Sequence, residues 1–275
     1  MKKLFQLEKI KTLSYPAFKT LMIIHFILFF LVVLVVSRIH FSIPGFSVKG
    51  LYQFPNIWDF FPWVASWFNL FLAIVVILLV GNEFSFRTFR QNVINGLSRG
   101  DLITGKLIMI VTIAVYTFLM VLLAILIFGL IFTKDFTLAM MFEKSYFLLI
   151  YFIQAVGYMV LGMLIALIFR NNALSIIMFI LYFAILEPIV RVLFKAEARR
   201  FFPAKIISNL TPTPEFLTMT SEKPYTSSSG KSPLDFHEIG LVPENLSIGI
   251  TLILATGYIG FFIGLSYLIT HKRNL

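Results

Sequence analysis

The chain has 275 residues, of which 59% are hydrophobic, 16% aromatic and only 13% charged, with a formal net charge of +10 and no cysteine. A mean hydropathy of +0.92 leaves too little polar surface to coat a soluble domain of this length. Without cysteine there are no disulfides, no thiol catalysis and no cysteine-ligated metal; the positive charge comes with no nucleic-acid-binding motif and reads as Lys and Arg facing anionic lipid.

The basic N-terminus, "MKKLFQLEKIKTLSYPAFK", is followed by an apolar run without a small-residue cleavage site, which predicts an elbow over 1–19 leading into an uncleaved membrane helix. Apolar stretches of bilayer-spanning length predict six spans, at about 20–37, 60–80, 106–132, 146–169, 173–193 and 247–269. The expected fold is therefore all-α, a polytopic membrane protein with one transmembrane domain over 1–275. His25 in the first span reads as a hydrogen-bonded packing residue. Trp58, Trp63 and Trp67 at the start of the second read as an interfacial aromatic belt. Arg170, Asn171 and Asn172 form a polar turn between spans four and five.

An even number of spans puts both termini on one side. With the termini inside, twelve of the 23 Lys and Arg residues fall on the inner side and four in the first two outer loops, which favours N-in, C-in. The other seven run from Arg191, at the end of span five, to Lys231, six of them in a loop over 194–246 long enough to translocate regardless of charge. Its first half, "KAEARRFFPAKIISNL", predicts a short amphipathic helix at the membrane surface, and the Ser-, Thr- and Pro-rich remainder predicts irregular chain.

Between spans two and three, residues 81–106 are polar with a helical period. Phe86, Phe89, Val93 and Leu97 fall on one stripe, opposite Ser85, Thr88, Asn92 and Asn95. Asn82 is the expected N-cap, Glu83 complements the helix dipole and Gly96 ends the helix. A cytoplasmic amphipathic helix over 82–104 follows, and the residues alone leave open whether it floats on lipid or docks a soluble partner.

The pattern Glu83, Thr88, Ser98-Arg99 and Gly105-Lys106 resembles the signature of ABC-2 type transporter permeases, as do the six spans, the basic N-terminal segment and the long loop before the last span. The chain departs from that pattern at Gly96, where many members carry Pro, and at Phe84-Ser85-Phe86-Arg87, where members are often acidic and end in Gly. The resemblance implies that segment 82–104 is a coupling helix seated in a cytoplasmic ATPase subunit, with Glu83, Phe86, Arg87, Thr88, Phe89, Arg90, Val93, Leu97, Ser98, Arg99 and Lys106 as the coupling residues. Apolar side chains would fill the groove, and Arg87, Arg90 and Arg99 would meet acidic groups. Glu83 and Arg99 could pair with each other or with the N-terminal segment, bracing the elbow.

The resemblance further implies export through a path between two permeases, this chain pairing with itself or a paralogue, in a bacterial cytoplasmic (inner) membrane. No cofactor is expected on this chain, ATP and Mg belonging to the partner ATPase, and no nucleic acid. "GDLITGKL" (100–107) begins like a phosphate-binding loop, but Leu107 stands where Ser or Thr is needed and a span follows, so it is not read as a nucleotide site.

Near the outer end of span five, Glu187 and Pro188 read either as a gating or substrate contact or as a kink at which Glu187 pairs with Arg191; their place near the span end favours the kink. Gly257, Gly260 and Gly264 line one side of span six and read as close helix packing within the subunit. No catalytic triad, carboxylate pair or metal cluster is evident, so an enzyme is not expected. Two rival classes remain: a secondary transporter or channel without an ATPase, and a membrane anchor or sensor docking a cytoplasmic partner.

Overall fold

The structure is a computed structural model and describes residues 2–39, 42–43, 46–134, 137–212 and 246–272. Apart from a two-residue antiparallel pair, β1 (Ser42–Ile43) with β2 (Phe46–Ser47), its regular elements are helical. Five helices are long and apolar enough to cross a membrane, or six if one bent pair counts as a single span. They are α2 (Pro16–Ser37), the pair α3 (Ile57–Ser66) and α4 (Asn69–Ser85), α6 (Arg99–Phe132), α7 (Leu138–Phe142) running into α8 (Tyr146–Phe169), α9 (Asn172–Leu181) continuing to Val192, and α13 (Ile248–Lys272). A helix satisfies its own backbone, which is what lets such apolar chain enter a bilayer.

The predicted second span is the bent pair. Its axis turns by 43° between Ser66 and Asn69. There the ladder tightens to three-residue steps, Trp67 N to Val64 O and Phe68 N to Ala65 O, while the Ser66 hydroxyl takes the Trp63 carbonyl. Trp58 departs from the expected belt: it is buried, and its indole N–H donates to the Met141 carbonyl. Trp67 is exposed.

α8 is the centre of the bundle, packed by α3, α4, α6, α9 and α13. It is apolar all round, as a helix surrounded by others must be. Gly162 sets its closest approach to α4, since a Cβ there would lie 3.0 Å from the Ala73 carbonyl oxygen. We expect Gly162→Ala to force α4 away from α8 and cost about 1–3 kcal/mol, read as a lowered unfolding temperature in detergent.

His25 is buried but not hydrogen-bonded as expected: among the described residues neither ring nitrogen has a partner. The imidazole is packed instead, stacked on Phe71 at 5.9 Å and edge-on to Phe68 at 5.6 Å. The glycines of span six also depart from expectation. Among the described residues, a Cβ on Gly257, Gly260 or Gly264 would meet nothing within 4 Å. α13 packs through Ala255, Ile259, Phe262 and Ser266, a stripe on its other side.

After α9 the helix widens to a π turn over Tyr182–Leu186, where Glu187 N donates to Tyr182 O. Pro188, which has no N–H of its own, opens the final stretch, α10 (Glu187–Val192). The chain then forms α11 (Ala196–Arg199) and α12 (Pro203–Ser208). The stretch predicted as one short amphipathic helix is thus two, and the apolar side of α12 turns to the bundle. Ala204, Ile206 and Ile207 are buried, and the helix packs on α8 and α13. The predicted irregular half of that loop, from 213 to 245, lies outside the described residues.

Candidate functional site: the polar elbow

Chain locality explains most of the elbow between α4 and α6. α4 stops at Ser85 because Arg87 turns left-handed, φ 55°, and the helix predicted over 82–104 divides among the end of α4, a short α5 and the start of α6. Thr88 ties the break by donating its hydroxyl to the Glu83 carbonyl at 3.3 Å. The second helix, α5 (Thr88–Ile94), is closed by Gly96 at φ 92°, with Leu97 N donating to Asn92 O and Gly96 N to Val93 O. This six-to-one and five-to-two pairing needs a left-handed residue at the glycine. Ser98 then starts α6 with a reciprocal cap: its hydroxyl accepts from Asp101 N at 3.0 Å, and its own N–H donates to Asp101 Oδ2 at 3.1 Å.

The base of the elbow is a buried ion network. Lys106 Nζ lies 2.6 Å from Glu8 Oε2 and 2.6 Å from Glu83 Oε1. Lys11 Nζ reaches Glu83 Oε1 at 3.2 Å and Glu8 Oε1 at 3.5 Å. Lys106 is only 2% exposed. A charge so placed is tolerable only when paired, and two lysines against two glutamates leave the cluster neutral. Glu8 and Lys11 sit on α1 (Lys2–Ser14), which packs along α6. Gly105 allows this: a Cβ there would press on the Glu8 side chain at 3.1 Å. The Gly-Lys pair therefore has one local meaning, close approach followed by charge.

Of the two expected bracing contacts, Glu83 makes the one with the N-terminal segment. Arg99 does not pair with Glu83; its Nη1 donates to the carbonyls of Thr270 at 3.3 Å and His271 at 2.6 Å, at the C-terminal end of α13. Thr104 and Tyr267 share a 2.8 Å hydrogen bond across the same two helices. Asn172 Nδ2 donates to Asn82 Oδ1 at 2.6 Å, fastening the span-four to span-five turn to α4. Asn82, predicted as an N-cap, thus lies inside α4 and acts through its side chain. The "GDLITGK" stretch lies at the start of α6, so no phosphate-binding loop forms there.

The predicted coupling residues divide. Glu83, Phe89 and Lys106 are buried, and Thr88, Val93, Leu97 and Arg99 are half-buried. Phe89, 2% exposed, stacks on Phe84, which in turn lies under the Arg170 guanidinium at 5.4 Å. The apolar stripe is therefore largely used to seat α5 on its own bundle. Ser98 is exposed but serves as the cap. Facing outward are Phe86, 70% exposed, Arg87, Arg90 and Ile94, 77% exposed. Ile94, Asp101, Glu8 and Lys11 were missed in the sequence. The Ser-x-x-Asp spacing announces Asp101, and Glu8 is the only acidic residue before Asp59, a lone carboxylate in a basic segment.

No protein-family model matches the chain, and no curated protein does.

The C-terminal end of the helix that runs from α9 through α10 holds a second polar centre. Glu187 is 4% exposed and accepts from the Tyr182 hydroxyl at 2.7 Å, Ala204 N at 2.8 Å and Lys205 N at 2.7 Å. It therefore caps the start of α12, and no Glu187–Arg191 ion pair forms among the described residues. The reason is geometric: two backbone donors of α12 and a phenol take both carboxylate oxygens. Gln154 of α8 closes the other end, donating to Ile207 O at 3.1 Å and Ser208 O at 3.0 Å, and accepting from Asn69 at 3.2 Å and Thr211 at 3.0 Å. Among the described residues no group of His, Asp and Glu is placed to hold a metal.

Proposed function

We propose that the chain is the membrane-spanning permease subunit of an ATP-driven ABC-2 type transporter, acting in export, with both termini in the cytoplasm. In this reading α5 is the coupling helix and rests on a separate ATPase subunit, which binds the ATP and Mg. Two permeases, two copies of this chain or this chain and a paralogue, enclose the substrate path.

The observation that carries the reading is the elbow itself: an outward face of Phe86, Arg87, Arg90 and Ile94 on a base fixed to three apolar helices. Force from a soluble partner reaches the bundle only if the receiving element is rigidly held. Here α5 is bounded by the Glu8–Lys106–Glu83 bridge on one side and by the Arg99 contacts to α13 on the other. The two arginines suit acidic groups on a partner, and the two apolar side chains suit a groove between them.

Purification in mild detergent after crosslinking in the native membrane is the test. A soluble ATPase should co-purify with the wild type and be lost from Phe86→Asp/Arg90→Glu, while that variant remains folded and inserted. Phe89 and Arg99 are unsuitable probes because both hold the protein together. A wild-type preparation without an ATPase would sink the proposal and return α5 to the lipid surface, in a secondary transporter, channel or anchor.

A further inference from the structure

A groove of about 180 Å³ runs between α1 and α6, lined by Phe5, Leu13, Phe18, Ile108, Met109 and Ile113, with Lys9 also on its wall. An apolar cavity of about 150 Å³ is already large enough to take a benzene-sized group. Two of the polar side chains beside it are answered within the protein. Glu8 turns its carboxylate to Lys106, and Thr112 donates its hydroxyl to the Ile108 carbonyl at 2.8 Å. The groove therefore asks for hydrocarbon, and it starts about two turns into a membrane-spanning helix, where hydrocarbon is at hand.

Charge decides which hydrocarbon. α1 carries four lysines and one glutamate. Glu8 and Lys11 are taken up by the ion network, whereas Lys9 is exposed and makes no ion pair with a described residue. We propose that the groove holds one acyl chain of an anionic phospholipid, with Lys9 meeting its phosphate. This rests on the membrane placement of the helices and is independent of whether an ATPase docks at α5. Because Glu8 forms one wall, the groove adjoins the network that holds the elbow.

Native mass spectrometry of the full chain, delipidated in detergent and titrated with phosphatidylglycerol or phosphatidylcholine, tests it. The wild type should retain phosphatidylglycerol about fivefold more strongly, the worth of one lysine near an anionic surface. Lys9→Glu should abolish that preference while leaving chain binding, and Thr112→Trp, which fills the groove, should abolish retention of both lipids. Should Thr112→Trp fail to elute as folded protein, Ile108→Phe carries the same expectation. Equal retention of the two lipids by the wild type overturns the proposal, as does retention that Thr112→Trp leaves unchanged. A second copy of the chain bound in place of lipid, and lost on filling the groove, overturns it too.

Discussion

Replacing Lys106 with Met should destabilise the protein by about 3–5 kcal/mol, the usual result of removing one partner from a buried ion pair. Two carboxylates, Glu8 and Glu83, would face each other with only the half-exposed Lys11 between them. The expected readouts are a lower folded yield in detergent and new tryptic cleavage at Lys9 or Lys11 as α1 lifts off α6. Neutralising the remaining carboxylates, in Glu8→Gln/Glu83→Gln/Lys106→Met, should recover much of the loss, since a buried ion cluster exchanged as a whole for neutral groups is often near neutral in cost. If the single variant keeps wild-type yield and protease resistance, the network does not hold α1, and the elbow lacks the fixed base argued for it.

Glu187→Ala is the second large effect. It strips the cap from α12 and leaves the N–H groups of Ala204 and Lys205 without their acceptor inside the protein. Hydrogen bonds to a charged group contribute about 1.5–3 kcal/mol each, and a buried donor left unsatisfied adds its desolvation cost. α12 should detach from α8 and α13, exposing Arg199 and Arg200 to trypsin and lowering the unfolding temperature. Glu187→Gln should fall between, because its amide nitrogen cannot accept from a backbone N–H. A Glu187→Gln variant of wild-type stability that has lost transport would instead assign the carboxylate to substrate or gating.

Both effects turn on partners that are far apart in sequence. Glu8 and Lys106 are separated by 98 positions, Glu83 and Lys106 by 23, and Glu187 and Ala204 by 17. Glu187 illustrates the difficulty: spacing offers Arg191 one turn away, yet the fold supplies two backbone donors that hold the carboxylate better. The apolar stripe of residues 86–97 illustrates another. Periodicity identified its faces, but whether a face turns to a partner or to the chain's own bundle depends on what packs beside it. Phe84 and Arg170 decided that for Phe89. The break at Arg87 carries no glycine or proline to announce it, and a left-handed residue other than glycine costs about 1–2 kcal/mol, so the tertiary contacts on either side must hold it.

The sequence by itself determined that this is an all-helical chain with five to six membrane-length helices, because apolar length and backbone self-satisfaction are local properties. It also marked a local stop, Gly96 closing α5, because caps are made by neighbours in the chain. Only the tertiary structure decided which charges meet in the buried network, which face of α5 points outward, why Gly257, Gly260 and Gly264 meet no neighbour among the described residues, and how α12 is held between Glu187 and Gln154. Those outcomes depend on which helices lie side by side, and the desolvation of a buried charge or donor, which selects among the arrangements, exists only once they do.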